Sequence, residues 1–122
     1  MFDKAIGVNN MKIKIVCSVV LLFFILPGCK KQEKGNPGLN EIWLEYKAYN
    51  PTQLTVAVGT TVTFTNKDNA NHSVTETGNL FDSGTIKSGN SFTYQFNTAG
   101  TFYFYCNYHS SNSAEQGAIR VQ

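Results

Sequence analysis

Two histidines, three cysteines, two methionines and a single tryptophan are spread over 122 residues. Each scarcity removes possibilities. Both methionines, Met1 and Met11, precede residue 29, so beyond that point no thioether side chain exists. Cys17 and Cys29 lie in or beside an apolar leader, which leaves Cys106 alone in the rest of the chain; an intradomain disulfide framework is excluded because it needs pairs. Long apolar runs are missing too. The longest, Ile15–Leu26, has twelve residues and is broken in character only by Ser18, too short to span a bilayer comfortably. Charge of one sign is also missing. Residues 29–122 carry seven basic and seven acidic side chains, and the formal +2 of the whole chain comes from Lys4, Lys12, Lys14 and Asp3. The basic pI therefore gives no support for nucleic-acid binding.

The leader reads as a signal sequence over residues 1–28, with Lys12 and Lys14 as its basic region and Ile15–Leu26 as its apolar core. Met11 reads as the better start, since all the parts of a signal follow it. Leu26-Pro27-Gly28-Cys29 resembles a bacterial lipobox, which implies that Cys29 becomes the lipidated N-terminus of a lipoprotein in the cell envelope, facing the periplasm. Lys30 follows Cys29 where an inner-membrane retention Asp would stand, which leans the reading toward the outer membrane. Residues 29–39 hold Gly35, Pro37 and Gly38 among polar side chains and read as the lipidated Cys followed by a flexible tether.

Residues 40–122 read as one small all-β domain. Ile42, Leu44 and Tyr46 alternate with polar neighbours, as do Leu54, Val56 and Val58. Val62 with Phe64, Phe92 with Tyr94 and Phe96, and Phe102 with Phe104 repeat the pattern. Turn residues fall at Asn50-Pro51, Gly59, 67–71, 88–90 and 97–100. Period-two alternation in short runs predicts half-buried antiparallel strands, about seven to eight of them, in a Greek-key β-sandwich. Trp43, Tyr46 and Tyr49 read as packing.

Parity places the candidate ligands. Phe102, Phe104 and Cys106 point to one face, as do His72 and Val74. If the phenylalanines fill the core, Cys106 and His72 aim at one pole of the sandwich. His109 follows Cys106 at a spacing that a tight turn can close around one ion. One thiolate and two imidazoles suit a mononuclear type 1 copper site. Structural zinc wants four good ligands where three are evident. A binuclear copper centre would need a second Cys at position 110, which is Ser110.

The stretches 58–66, Asn71-His72-Ser73-Val74, 81–84, 89–92, Gly100 to Cys106, His109 and 117–121 follow one another at spacings that resemble the cupredoxins, the group containing plastocyanin, pseudoazurin and amicyanin. The resemblance implies His72, Cys106 and His109 as equatorial copper ligands, a Ser73 backbone N–H donating to the Cys106 sulfur, and His109 as the electron port. Asn107 and Tyr108, between two of these ligands, would shape the exposed face beside it. It implies an electron-transfer protein and not an enzyme, binding one copper per domain, monomeric, with a cytochrome c or a reductase or oxidase as partner. Envelope copper storage, delivery or resistance is the alternative, and a copper-free interaction module a third.

The departure from the family lies at the axial position. Glu115 stands where Met is common, two residues before Gly117. Glu115 would give a carboxylate, as in red-copper cupredoxins; Gln116 would give an amide oxygen; a backbone carbonyl or water would serve if neither binds. Glu115 ranks ahead because it fills the aligned slot, and either oxygen should lower the reduction potential relative to a Met-ligated relative.

Overall fold

The computed structural model describes residues 35–122. The expected signal sequence, the expected lipidation site Cys29 and the first part of the expected tether lie outside the described residues. Within 35–39, Gly38 is tied to the start of the first strand: Glu41 N donates to Gly38 O at 3.2 Å, and Gly38 N donates to Glu41 Oε2 at 3.1 Å.

Eight strands form among the described residues: β1 (Glu41–Glu45), β2 (Ala48–Asn50), β3 (Gln53–Val56), β4 (Thr60–Asn66), β5 (Thr75–Glu76), β6 (Ser91–Phe96), β7 (Gly100–Tyr105) and β8 (Gln116–Val121). They make two four-stranded sheets, ordered β2-β1-β4-β6 and β3-β8-β7-β5. The all-β expectation and the strand number hold.

The expected antiparallel pairing holds for β1–β2, β4–β6, β5–β7 and β7–β8, and two other pairs differ. β1 pairs with β4 in parallel, Ile42 opposite Phe64, and β3 pairs with β8 in parallel, Leu54 opposite Ile119. Alternation reports which face of a strand is buried and carries no information on direction. Direction follows from the connections: the chain leaves the first sheet after β2, runs β3 in the second sheet, and returns to lay β4 beside β1. Two residues counted into strands turn outward instead. Tyr46 sits in the β1–β2 turn, 75 % exposed beside Lys47 at φ 53°, and Val58 sits in the β3–β4 turn next to Gly59 at φ 89°.

The inner faces are apolar because alternate residues on each strand are. Ile42 and Leu44 from β1, Val62 and Phe64 from β4, Phe104 from β7 and Ile119 from β8 are fully or almost fully buried. Phe64 meets Phe104 edge-on at 5.4 Å between centroids, and Tyr49 lies 5.1 Å from Phe104. Aromatic pairs of this kind add about 0.5–1.5 kcal/mol beyond area burial.

Gly117 on β8 is pressed between the start of β3 and the Phe104 ring of β7, its neighbours in the same sheet. A Cβ there would stand 2.6 Å from Thr52 O and would also run into the Phe104 ring. One of these obstacles is backbone and the other a packed ring, so neither yields cheaply. Gly117→Ala is expected to cost about 1–3 kcal/mol, read as a lowered midpoint in denaturant unfolding. An unchanged midpoint would show that this corner relaxes freely.

Candidate metal centre

Asn66 ends β4 and organises the loop that follows. Its amide Nδ2 donates to Ala70 O and Ile86 O, each at 2.8 Å, and its Oδ1 accepts from Asp68 N at 2.8 Å. The loop is thereby folded over its own strand end and delivers His72 into the sandwich. His72 is held through its backbone, with N donating to Ile86 O at 3.2 Å and O accepting from Ile86 N at 2.8 Å. Its ring is 1 % exposed.

Ser73 is fixed at three atoms. Its N–H donates to Cys106 Sγ at 3.4 Å, its carbonyl accepts from Tyr49 OH at 2.7 Å, and its hydroxyl accepts from Asn107 N at 2.8 Å. Asn107 Nδ2 also donates to Thr75 Oγ1 at 2.7 Å. These bonds tie the His72 segment to the end of β7 across the pole of the fold.

Cys106 follows β7 directly and is fully buried. Residues Asn107–His109 form one 3₁₀ turn, closed by His109 N donating to Cys106 O at 3.2 Å. That turn brings His109 Nδ1 to 3.6 Å from Cys106 Sγ. A second 3₁₀ turn, Ser113–Glu115, is capped by Asn112, whose Oδ1 accepts from Ala114 N at 3.1 Å. Asn112 Nδ2 donates to Lys47 O at 2.8 Å and anchors the loop to the β1–β2 turn. The turn carries Glu115 inward, and Cys106 N donates to Glu115 O at 3.1 Å.

Glu115 is fully buried. Its Oε2 lies 2.8 Å from His109 Nδ1 and 3.5 Å from His72 Nδ1. Its Oε1 is buried without a hydrogen-bond partner. Gln116 goes the other way: it is exposed, and its Nε2 donates to Ser110 O at 3.3 Å. Adjacent residues entering a strand point to opposite faces, so only one of the two can reach the cluster.

One donor atom each from His72, Cys106, His109 and Glu115 lies within 4.8 Å of the others. Two imidazoles, a sulfur and a carboxylate converging on one point can hold a copper ion, and the chemistry of the set fits it. The orphaned Glu115 Oε1 supports that fit, since a buried carboxylate oxygen without a donor is costly unless something binds it. Burial pushes the Cys106 thiol above its ordinary range, against the Ser73 N–H contact that favours the thiolate. Burial likewise pushes the Tyr49 phenol far up, so it remains a donor to Ser73 O.

Asp68 escaped the sequence reading. Its Oδ2 lies 3.0 Å from His72 Nε2, the ring nitrogen opposite the cluster, and that contact holds its carboxyl below the usual range. An acidic residue four positions before a candidate ligand was the only available signal. Tyr49 was legible as packing, but its hydroxyl's link to Ser73 depends on strands brought together by the fold.

A family model described as a cupredoxin-like domain matches residues 16–121. A purple cupredoxin from Nitrosopumilus maritimus is 27 % identical in sequence, with a TM-score of 0.62, over 67 % of this chain and 98 % of that one. An oxidised point mutant of amicyanin is 22 % identical, TM-score 0.63, over 73 % of this chain and 87 % of that one. A fern plastocyanin mutant is 20 % identical, TM-score 0.59, over 67 % and 99 %. The last two likenesses are of fold alone. No curated protein matches the chain significantly.

Proposed function

The chain belongs to the cupredoxin-like domain family, and on that premise we propose that it is a single-electron carrier of the cell envelope. It would hold one copper ion through His72, Cys106 and His109, with the Glu115 carboxylate as a fourth donor. The observation that carries this reading is the convergence of these four donors at one buried point.

Bound copper would supply one-electron cycling between its two oxidation states. The protein's share is to fix the donors beforehand. Sheet pairing and the Ser73 bonds hold His72 and Cys106; the two 3₁₀ turns hold His109 and Glu115. Donors set by a packed scaffold move little when charge changes, which keeps reorganisation small. The Ser73 N–H on the sulfur tunes the potential. Among the four donors, only His109 is partly exposed, its side chain at 30 %, so its edge is the contact for a redox partner such as a cytochrome c, a reductase or an oxidase. Tyr108 beside it is half exposed, and its hydroxyl lies 2.6 Å from Thr85 Oγ1. Lipidation at Cys29 would tether the carrier to the membrane, the outer one in Gram-negative cells.

Titrating the protein with Cu(II) tests the reading. The expected result is one copper per chain, an intense thiolate-to-copper absorption absent from Cys106→Ala, and fast electron self-exchange. Slow exchange with very tight Cu(I) retention would move the assignment to copper handling. No bound copper would leave a copper-free interaction module.

A further inference from the structure

We infer that Asp68 is a positioning residue for the metal centre, fixing the His72 ring as its Nε2–H tautomer and placing a negative charge behind it that favours oxidised copper. The inference deepens the copper reading and rests on it for the second half only.

The geometry carries it. His72 has two ring nitrogens with different surroundings. Nε2 lies 3.0 Å from Asp68 Oδ2. Nδ1 faces the cluster, 3.9 Å from Cys106 Sγ and 3.5 Å from Glu115 Oε2. The Glu115 oxygen is already engaged by His109 Nδ1 at 2.8 Å. A single ring proton is therefore held better by Asp68, which leaves the Nδ1 lone pair pointing at the other three donors. A ligand needs that lone pair free, and the tautomer is set by the bond the other nitrogen makes.

Asp68 is itself held in place. Its N–H donates to Asn66 Oδ1 at 2.8 Å, and its Oδ1 accepts from Asn69 N at 2.6 Å. Asn66 in turn spans Ala70 O and Ile86 O, and Ile86 is the backbone partner of His72. The carboxylate and the ring are thus fixed to one frame. The Asp68 side chain is 13 % exposed, so its charge is only partly screened from the ring it faces. A carboxylate hydrogen-bonded to a ligating imidazole raises the basicity of the ligand. A more basic donor binds the more highly charged ion better.

Two variants separate position from charge. Asp68→Asn keeps an oxygen acceptor and loses the charge; Asp68→Ala loses both. In the metal-free full-length protein, the ring nitrogen shifts of His72 in a long-range ¹H–¹⁵N spectrum should show the Nε2–H form in wild type and Asp68→Asn. In Asp68→Ala the two tautomers should mix. In the copper-loaded protein, both variants should weaken Cu(II) binding about 10-fold relative to Cu(I). For one electron that is an upward shift in potential of about 59 mV, with Asp68→Glu returning part of it. Nδ1–H in the wild type overturns the inference, as does an Asp68→Ala protein with unchanged His72 tautomer and unchanged potential. If the wild type takes up no copper, the copper reading fails, while the metal-free spectra still decide whether Asp68 sets the tautomer. Circular dichroism of each variant confirms that the fold is retained.

Discussion

Glu115→Met is expected to raise the reduction potential by at least roughly 120 mV, two decades at about 59 mV each. The size follows from charge and distance. The four donor atoms lie within 4.8 Å of one another, so an ion among them is close to the carboxylate. A unit charge at about 4 Å is worth about 4 kcal/mol at an effective dielectric of 20. That interaction favours the more positive copper state, and a neutral thioether removes it. Methionine is also the softer donor and favours Cu(I).

The same substitution has a consequence without metal. Glu115 is fully buried, and its Oε1 has no donor. An unbranched apolar side chain of similar length removes that desolvation cost and gives up the Oε2 contact with His109 Nδ1; with the His109 side chain partly exposed to water, the metal-free variant should be more stable by about 1–2 kcal/mol. For a domain of this size each kcal/mol is about 4–8 °C of thermal midpoint. The two readouts separate the roles. A raised midpoint with an unchanged potential would mean that the Glu115 carboxylate neither binds the copper nor acts on it through its charge. Glu115→Gln should give an intermediate potential, because an oxygen remains and the charge does not.

Glu115 also shows where sequence reading stops. Its position two residues before Gly117 made it a candidate, yet Gln116 was equally available by chemistry. The choice is made by the 3₁₀ turn Ser113–Glu115, whose Asn112 cap sets which residue enters β8 pointing inward. Strand faces were legible because burial follows parity: Ile42, Leu44, Val62, Phe64 and Phe104 are all buried as alternation requires. His72, Cys106 and His109 were legible because they are the few soft donors in a chain otherwise poor in them. Strand direction was not, since the β1–β4 and β3–β8 parallel pairs depend on connections that cross between layers. The Tyr49–Ser73 and Asn107–Ser73 bonds were not legible either. They join residues 24 and 34 positions apart and exist only once the sheets are stacked. Asp68 is closer, four residues from His72, but the contact needs the Asn66-centred loop, which has no periodicity to read.

Phe104→Ala should cost about 3–5 kcal/mol, a fall of order 12 °C or more in thermal midpoint. Phe104 is 1 % exposed and lies between Tyr49 and Phe64, with the backbone of Gly117 against its ring. The Gly117 contact shows how little free space surrounds the ring, so truncation leaves a cavity that the two sheets can close only by shifting. Phe104 is also two residues before Cys106 on the same face. Its loss loosens the packing under the sulfur and under Tyr49, whose hydroxyl holds Ser73 against that sulfur. Destabilisation should therefore come with broadened copper spectra, as the donor geometry becomes heterogeneous. Tyr103, the neighbour on the same strand, is the control. It is 59 % exposed on the opposite face, and Tyr103→Ala should change stability by no more than about 0.5 kcal/mol and leave the spectrum sharp. Because four preset donors should bind copper more tightly than the unfolded chain does, loading should recover part of the Phe104→Ala loss by mass action. A variant whose midpoint rises on adding Cu(II) while its spectrum stays broad would show that Phe104 supports the site through packing beneath it, separately from its share in the stability of the fold.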